Sequence, residues 1–317
     1  MLHCLYKLEF STPVHFGAGD YTHSVESCRM CFAADTFFSA LCSIAVKSSE
    51  VDKLVRLVRN GSLRFSDSFP YKGSELWLPK PILSPKTEHT GNPSDKKIMK
   101  KLAYIPASSY TNYVDSLCGR GSFTPDSALN DFGVFQIATK AAIGSDEATP
   151  YSVATFRFHD DCGVWLVIGY EKTEDLEFVE LLVKLLGLGG IGGKVSSGYG
   201  SFSLASVITP EYANASEKAL FTMLNKNTGR FITLTTAYAE DSALDRILEG
   251  AEYKLVRRGG YAFSETCTKI LKKQTGYMFA SGSAFTSKFE GMMPDVGRNM
   301  PHPVLRYGYP IFIGVDY

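Results

Sequence analysis

Charge of one sign is what this chain lacks: 33 Lys and Arg face 33 Asp and Glu, for a formal net charge of zero. That excludes a global positive field as the means of holding a polyanion, so nucleic-acid contacts have to come from local basic patches or from a ligand shared with more basic partners. Long apolar runs are missing too. The run 37–46 is broken by Ser39 and Ser43, and nothing nears the roughly 18 residues that a spanning helix requires. The first residues alternate instead of forming the apolar core of a signal peptide. A soluble, cytoplasmic protein without membrane association is expected. Catalytic and metal signatures are also scarce. There is no HExxH, no paired-carboxylate cluster and no Ser/His/Asp order; Cys28 and Cys31 form a lone CxxC without a second pair at zinc-ligand spacing, and His23 adds little. Seven cysteines, most in apolar surroundings such as Cys42 beside Leu41 and Ile44, read as reduced, buried thiols. No metal or cofactor is expected.

What is present is enough apolar material for folded domains. The chain has 317 residues, 44% hydrophobic and 21% charged, which suggests two domains at about 150 residues each. Residues 5–10 place Tyr6, Leu8 and Phe10 on one face and Lys7 and Glu9 on the other, the period of a half-buried strand. A loop with Gly17 and Gly19 follows. Asp35 is then placed to cap a helix carrying Phe38, Leu41, Cys42 and Ala45 on one face. A second helix starts near Glu50 and ends at Asn60-Gly61, and 62–69 reads as a strand. Eight of the fourteen prolines fall in 70–150, which therefore reads as a long insertion and not a core. Segments 151–158 and 164–170 suggest a hairpin. A helix capped by Thr173 and stopped by Gly187 comes next, then a strand over 199–207. This is the βαββαβ order of a ferredoxin-like (RRM-like) unit. A strand at 231–238, a helix opening at Asp241-Ser242 and a final strand at 309–317 read as a less regular second copy. The expected fold is α+β, with two tandem ferredoxin-like domains, 1–207 and 208–317, linked near 208–228.

The densest motif lies between the helix and the strand of the first unit. Seven glycines fall within 187–200. Gly187, Gly189 and Gly192 match the dinucleotide pattern GxGxxG, but a helix precedes and a strand follows, the reverse of a dinucleotide-binding loop. A P-loop is excluded because Leu188 and Val195 stand where its first glycine and its hydroxyl belong. The remaining expectation is an anion cradle, favoured over a connector that merely lets a helix pack against its own sheet. Gly189, Gly190, Gly192 and Gly193 let backbone N–H groups approach a phosphodiester, Lys194, Ser196 and Ser197 add donors, and Tyr199 either stacks on a base or fills the core. His15 and Gly17 occupy the first strand-to-helix loop, near the same sheet edge. Lys96, Lys97, Lys100 and Lys101 form either a solvated loop or a basic finger. Arg257 and Arg258, read as a hairpin tip, and Arg306, before the last strand, contact RNA or serve as scaffold.

Together these elements resemble the RAMP superfamily of CRISPR-associated proteins. The segments 13–17 (PVHFG), 35–41 (DTFFSAL), 192–200 (GGKVSSGYG) and 304–308 (VLRYG) resemble, in order, the fourth subunits of type III-A effector complexes, with a departure at Tyr309-Pro310. The resemblance implies recognition of the repeat-derived 5′ tag of CRISPR RNA. It also implies docking on the large polymerase-cyclase subunit, contact with a backbone RAMP subunit, a thumb-like hairpin in the 70–150 insertion, and no cleavage site. Gly192, Gly193, Lys194, Ser196 and Ser197 become phosphate or sugar contacts, with His15 and Gly17 beside the tag. The competing reading is a metal-independent CRISPR RNA-processing endoribonuclease of the same superfamily, using a histidine or tyrosine near the same loop.

Overall fold

The computed structural model describes residues 1–17, 25–86, 93–124, 131–143, 148–262 and 271–317, with backbone alone at 93–96, 142–143 and 148–149. Gly19 and His23 lie outside the described residues, as does the side chain of Lys96. The chain opens with β1 (Leu2–Phe10), the short pair β2 (Phe16–Gly17) and β3 (Cys28–Arg29), α1 (Ala34–Lys47) and α2 (Val51–Arg59). Strands β4 (Leu63–Phe65), β5 (Phe69–Lys72) and β6 (Glu75–Pro79) follow, then α3 (Pro93–Lys101), β7 (Tyr104–Pro106) and α4 (Tyr110–Leu117). Next come β8 (Gly133–Ile143), β9 (Ala148–Phe158), β10 (Cys162–Tyr170), α5 (Thr173–Gly189), β11 (Phe202–Ile208) and α6 (Ala215–Asn225). The last third holds β12 (Arg230–Thr233), α7 (Leu244–Leu248), β13 (Leu255–Arg258), β14 (Tyr261–Ala262), β15 (Leu271–Lys272), β16 (Gly276–Phe279), β17 (Ala284–Phe285) and β18 (Phe312–Val315).

The main sheet runs β11-β1-β10-β5-β6-β7, with β4 also paired to β10. Its β1 neighbours are both antiparallel: Tyr6 faces Leu166 on one side and Val207 on the other. Both faces are covered. Cys4, Tyr6 and Leu8 point into a core shared with Phe37, Phe38, Leu41, Val179 and Val183 of α1 and α5. Leu5, Trp165 and Val167 point the other way, against Leu220, Phe221 and Leu224 of α6 and Ile232 and Ile313 of β12 and β18. This corrects the half-buried reading of β1. Lys7 is not solvent-facing but forms an ion pair with Glu217 of α6 at 2.9 Å. Glu217 in turn completes the capping box that starts α6, with Asn214 at the N-cap, so one carboxylate both starts the helix and pins it to the sheet.

Three further expectations are corrected. Residues 70–150 are not outside the core, since β5, β6 and β7 belong to the main sheet and Leu76, Leu78, Ile105 and Tyr110 are buried. Pro79 and Pro106 end β6 and β7 and Pro93 opens α3, positions where the missing N–H costs little. Second, β9 pairs with β8 and not with β10; β10 is enclosed by β1, β4 and β5. Third, neither expected cap forms. Thr173 is the first residue of α5, which extends through Gly189, and α1 has no side-chain cap of its own. The orphan amide of Ala34 donates instead to Asp67 Oδ1 at 2.8 Å, from the break between β4 and β5.

In the last third, β12 lies between β17 and β18. Arg257 and Arg258 are not at a tip but inside β13, paired with Tyr277 and Gly276 of β16. The two parts of the chain are tied through buried polar bonds. Asp67 accepts from Thr236 N at 2.9 Å and Thr236 Oγ1 at 2.6 Å, and the amide of Phe65 donates to the Tyr307 hydroxyl at 2.7 Å. Tyr309, the point of departure from the family pattern, receives the Arg64 guanidinium 4.3 Å over its ring.

Candidate functional site

Segments far apart in sequence meet at one cavity of about 460 Å³. Its walls are β2 and β3, the first turns of α1, the Gly-rich loop at Gly192 and Gly193, and the stretch from Arg258 to Tyr261. The lining holds three cationic side chains, Arg29, Arg258 and Lys273, and one carboxylate, Asp35. That carboxylate is already engaged: Arg258 donates from Nε at 3.0 Å and from Nη2 at 2.5 Å. Burial opposes ionisation of Asp35, but the charge and hydrogen bonds of Arg258, with Lys273 and Arg306 nearby, hold its carboxyl below the ordinary carboxylate range. The lining thus gathers three cations and one carboxylate in a chain that is neutral overall, a composition suited to an anionic ligand.

Five of the thirteen predicted residues converge here. His15, Gly17, Gly192, Gly193 and Arg258 line the cavity. His15 is buried; its Nδ1 donates to the Ala154 carbonyl at 2.6 Å and its own carbonyl accepts from the Gly193 amide at 2.8 Å, so it braces the loop. Arg306 is 3% exposed and donates from Nη1 to the Arg258 carbonyl at 3.0 Å. Its Nη2 is buried with no hydrogen-bond partner among the described residues. It packs behind Arg258 and does not line the cavity. Arg257 is exposed and off the cavity lining. Lys97, Lys100 and Lys101 are exposed on α3 and do not line it either.

The glycines have a more specific reason than anion approach. A Cβ at Gly193 would lie 2.6 Å from His15 Cδ2, and one at Gly192, where φ is +103°, would lie 2.7 Å from the His15 carbonyl oxygen. Gly190, at φ +85°, follows the last residue of α5, and a Cβ there would lie 2.7 Å from the Tyr199 carbonyl oxygen. Several loop amides are also used internally: Gly190 to Leu186, Ile191 to Gly200, Gly193 to His15 and Gly200 to Pro13. Among the described residues, the amides of Gly192, Lys194, Val195 and Ser196 have no backbone partner. Glycine density thus follows first from close packing, and the anion-binding argument rests on the cations that the cavity gathers. Gly189 ends α5 in open space, and Ser196 and Ser197 lie exposed in a short 3-10 turn.

Lys194 and Tyr199 leave the loop toward the β8–β9 hairpin. Lys194 Nζ lies 4.6 Å from the Tyr151 ring centroid and 3.3 Å from its hydroxyl; Lys140 Nζ lies 4.7 Å from the Tyr199 centroid. Sequence reasoning missed Lys140 and Tyr151, and also Arg29 and Lys273, because no local pattern marks them. Only strand register and the cavity do. Among the described residues no group of three or more His, Cys, Asp or Glu is placed to hold a metal ion, and no helix is long and apolar enough to cross a membrane.

Comparison with known proteins gives a consistent picture. The model of the RAMP superfamily matches residues 7–203, and that of the CRISPR Csm4 C-terminal domain matches residues 226–315. The chain is 33% identical over 315 residues to the CRISPR system Cms protein Csm4 of Mycobacterium tuberculosis, covering 98% of this chain and 97% of that one. It is 30% identical over 325 residues to the protein of the same name from Streptococcus thermophilus, covering both completely. Its fold matches a chain of a crystallised Csm3-Csm4 subcomplex of a type III-A interference complex, with a TM-score of 0.65 at 16% identity and complete coverage of both chains. It also matches a chain of a Csm1-Csm4 cassette crystallised with pppApA, with a TM-score of 0.64 at 17% identity, covering 100% of this chain and 98% of that one.

Proposed function

Because the chain belongs to the Csm4 proteins of the RAMP superfamily, subunits of type III CRISPR complexes, we propose that it is a non-catalytic, cytoplasmic subunit that holds the 5′ tag of CRISPR RNA. On this reading it bridges the tag to the large polymerase-cyclase subunit and abuts a backbone RAMP subunit, as the assemblies crystallised with its structural relatives suggest. The observation that carries the proposal is the cation-lined cavity at Gly192, Gly193 and Arg258. It draws on residues 15–40, 191–193 and 258–273, so its shape depends on segments far apart in the chain. The neutral net charge fits a subunit that shares its RNA with partners.

The same reading assigns two tandem ferredoxin-like domains, 1–207 and 208–317. The order β11-β1-β10-β4/β5 supports the first, being last, first, third and second among the strands of a βαββαβ unit; β12 flanked by β17 and β18 supports the second. The β8–β9 hairpin takes the place of the thumb. On this reading His15 is a brace for the loop, through its Nδ1 and its backbone carbonyl.

The test is co-expression of the whole complex with Lys194→Ala in this subunit, followed by sequencing of the co-purified RNA. Reduced RNA content or displaced 5′ ends are expected. Unchanged content and ends would sink the proposal. Incubation with repeat RNA in the absence of metal addresses catalysis: site-specific cleavage abolished by His15→Ala would establish the endoribonuclease instead.

A further inference from the structure

We propose that Lys140, Tyr151, Lys194 and Tyr199 form a platform for single-stranded RNA that joins the Gly-rich loop to the β8–β9 hairpin, the tyrosines stacking bases and the lysines taking the flanking phosphates. The proposal rests on the RNA-binding reading above and extends it to hairpin residues that no motif marks.

Lys140 and Tyr151 stand directly opposite each other in the β8–β9 register, and directly opposed residues share one face of a sheet. That face meets the loop in crossed fashion: the hairpin tyrosine receives the loop lysine, and the loop tyrosine receives the hairpin lysine. All four side chains stay partly exposed. Neither lysine has a carboxylate partner among the described residues, although the chain contains as many acids as bases. Lys194 also holds a left-handed conformation, φ 61°, which is uncommon outside glycine, and from it the ammonium reaches the hairpin. It directly follows Gly193, a lining residue of the cavity, so a strand leaving the cavity arrives at the platform.

The chemistry favours exchange. A partly exposed cation–π contact is weak, and an ammonium gains a stronger, charge-assisted bond from a phosphate oxygen. A phosphodiester therefore draws each lysine off its ring, and the uncovered ring accepts a base, the interleaving of cation and aromatic that single-strand-binding grooves use.

The experiment uses the full chain with single-stranded tag RNA carrying 2-aminopurine at successive positions. Fluorescence quenching at one or two positions is expected on binding. Tyr151→Ala and Tyr199→Ala each remove that quenching and weaken binding about 5- to 100-fold, whereas Tyr151→Phe retains both. Lys140→Ala lowers the salt dependence of log affinity by about 0.7. As a control that needs no protein variant, an abasic substitution at the quenched position weakens binding to the unaltered protein to the same degree. If the unaltered protein binds the RNA but Tyr151→Ala, Tyr199→Ala and the abasic RNA leave affinity unchanged, the platform is refuted while the RNA-binding reading stands. If the unaltered protein binds no RNA, alone or with its partner subunits, both fall.

Discussion

Arg258 closes a two-point ion pair on Asp35 across 223 positions of sequence, from the late strand β13 to the first turn of α1. The contact is partly buried, and removing one member forfeits a charge-assisted pair in poorly solvated surroundings. Asp35→Asn is expected to destabilise the protein by about 3 kcal/mol near neutral pH, measured by urea denaturation, and to loosen the cavity wall. Since the carboxyl is held below its ordinary range in the fold, the pair's contribution is present above about pH 4 and is lost as the pH falls through the lowered value. The variant and the parent should therefore converge in acid. A constant gap down to pH 2 would contradict this.

Asp67 is expected to behave with the opposite sign. Burial raises its carboxyl above the ordinary range, against the hydrogen bonds from Thr236 and Ala34. The folded state therefore favours the protonated form, and this advantage declines as pH rises through the raised value. Asp67→Asn keeps an oxygen for the two amides and is expected to lie within about 1 kcal/mol of the parent at neutral pH. Asp67→Ala orphans both buried N–H groups and is expected to cost about 3 kcal/mol. Comparable midpoints for the Asn and Ala variants would show that Asp67 does not link α1 to the last third.

The loop glycines separate by what a methyl group would meet. Gly189→Ala ends a helix in open space and is expected to be neutral or stabilising by about 0.5 kcal/mol. Gly192→Ala combines positive φ with a 2.7 Å clash against the His15 carbonyl and is expected to cost 2 kcal/mol or more, about what strained backbone and overpacking each incur. Thermal midpoints of the two variants, measured side by side, give the comparison.

Strand β8 pairs only with β9 among the described residues and exposes Val134, Phe135 and Ile137, the last by 72%. A long apolar edge of this kind invites self-association when no partner covers it. Ile137→Lys is expected to change stability by no more than about 0.5 kcal/mol while reducing aggregation of the isolated subunit in light scattering. Unchanged aggregation would place the sticky surface elsewhere.

The local features were legible because they depend on nearest neighbours along the chain. The α2 stop at Asn60-Gly61, the buried face of α5 through Val179, Leu182 and Val183, and the strand character of β1 all follow from spacing and capping chemistry, and the structure retains them. The Gly-rich loop was likewise visible as a motif, and its helix-before, strand-after setting excluded a dinucleotide fold. The prolines of 70–150 misled, because composition signals turns without saying that the short strands between them join the main sheet.

What only the tertiary structure decided is who meets whom. Asp35 looked like a helix cap because its sequence position suits one; its partner turned out to be Arg258, whose position no local rule relates to it. Arg306 was open between RNA contact and scaffold by sequence, and only the fold shows it buried against the Arg258 carbonyl. Lys7 looked solvated because a one-sided sheet is the default reading of an alternating strand, and α6 covers that second face through Glu217. Periodicity fixes which side of an element is apolar. Long-range charge pairing, the second covered face and the crossed lysine–tyrosine contacts depend on sheet order and loop placement, and these emerge only when distant segments pack together.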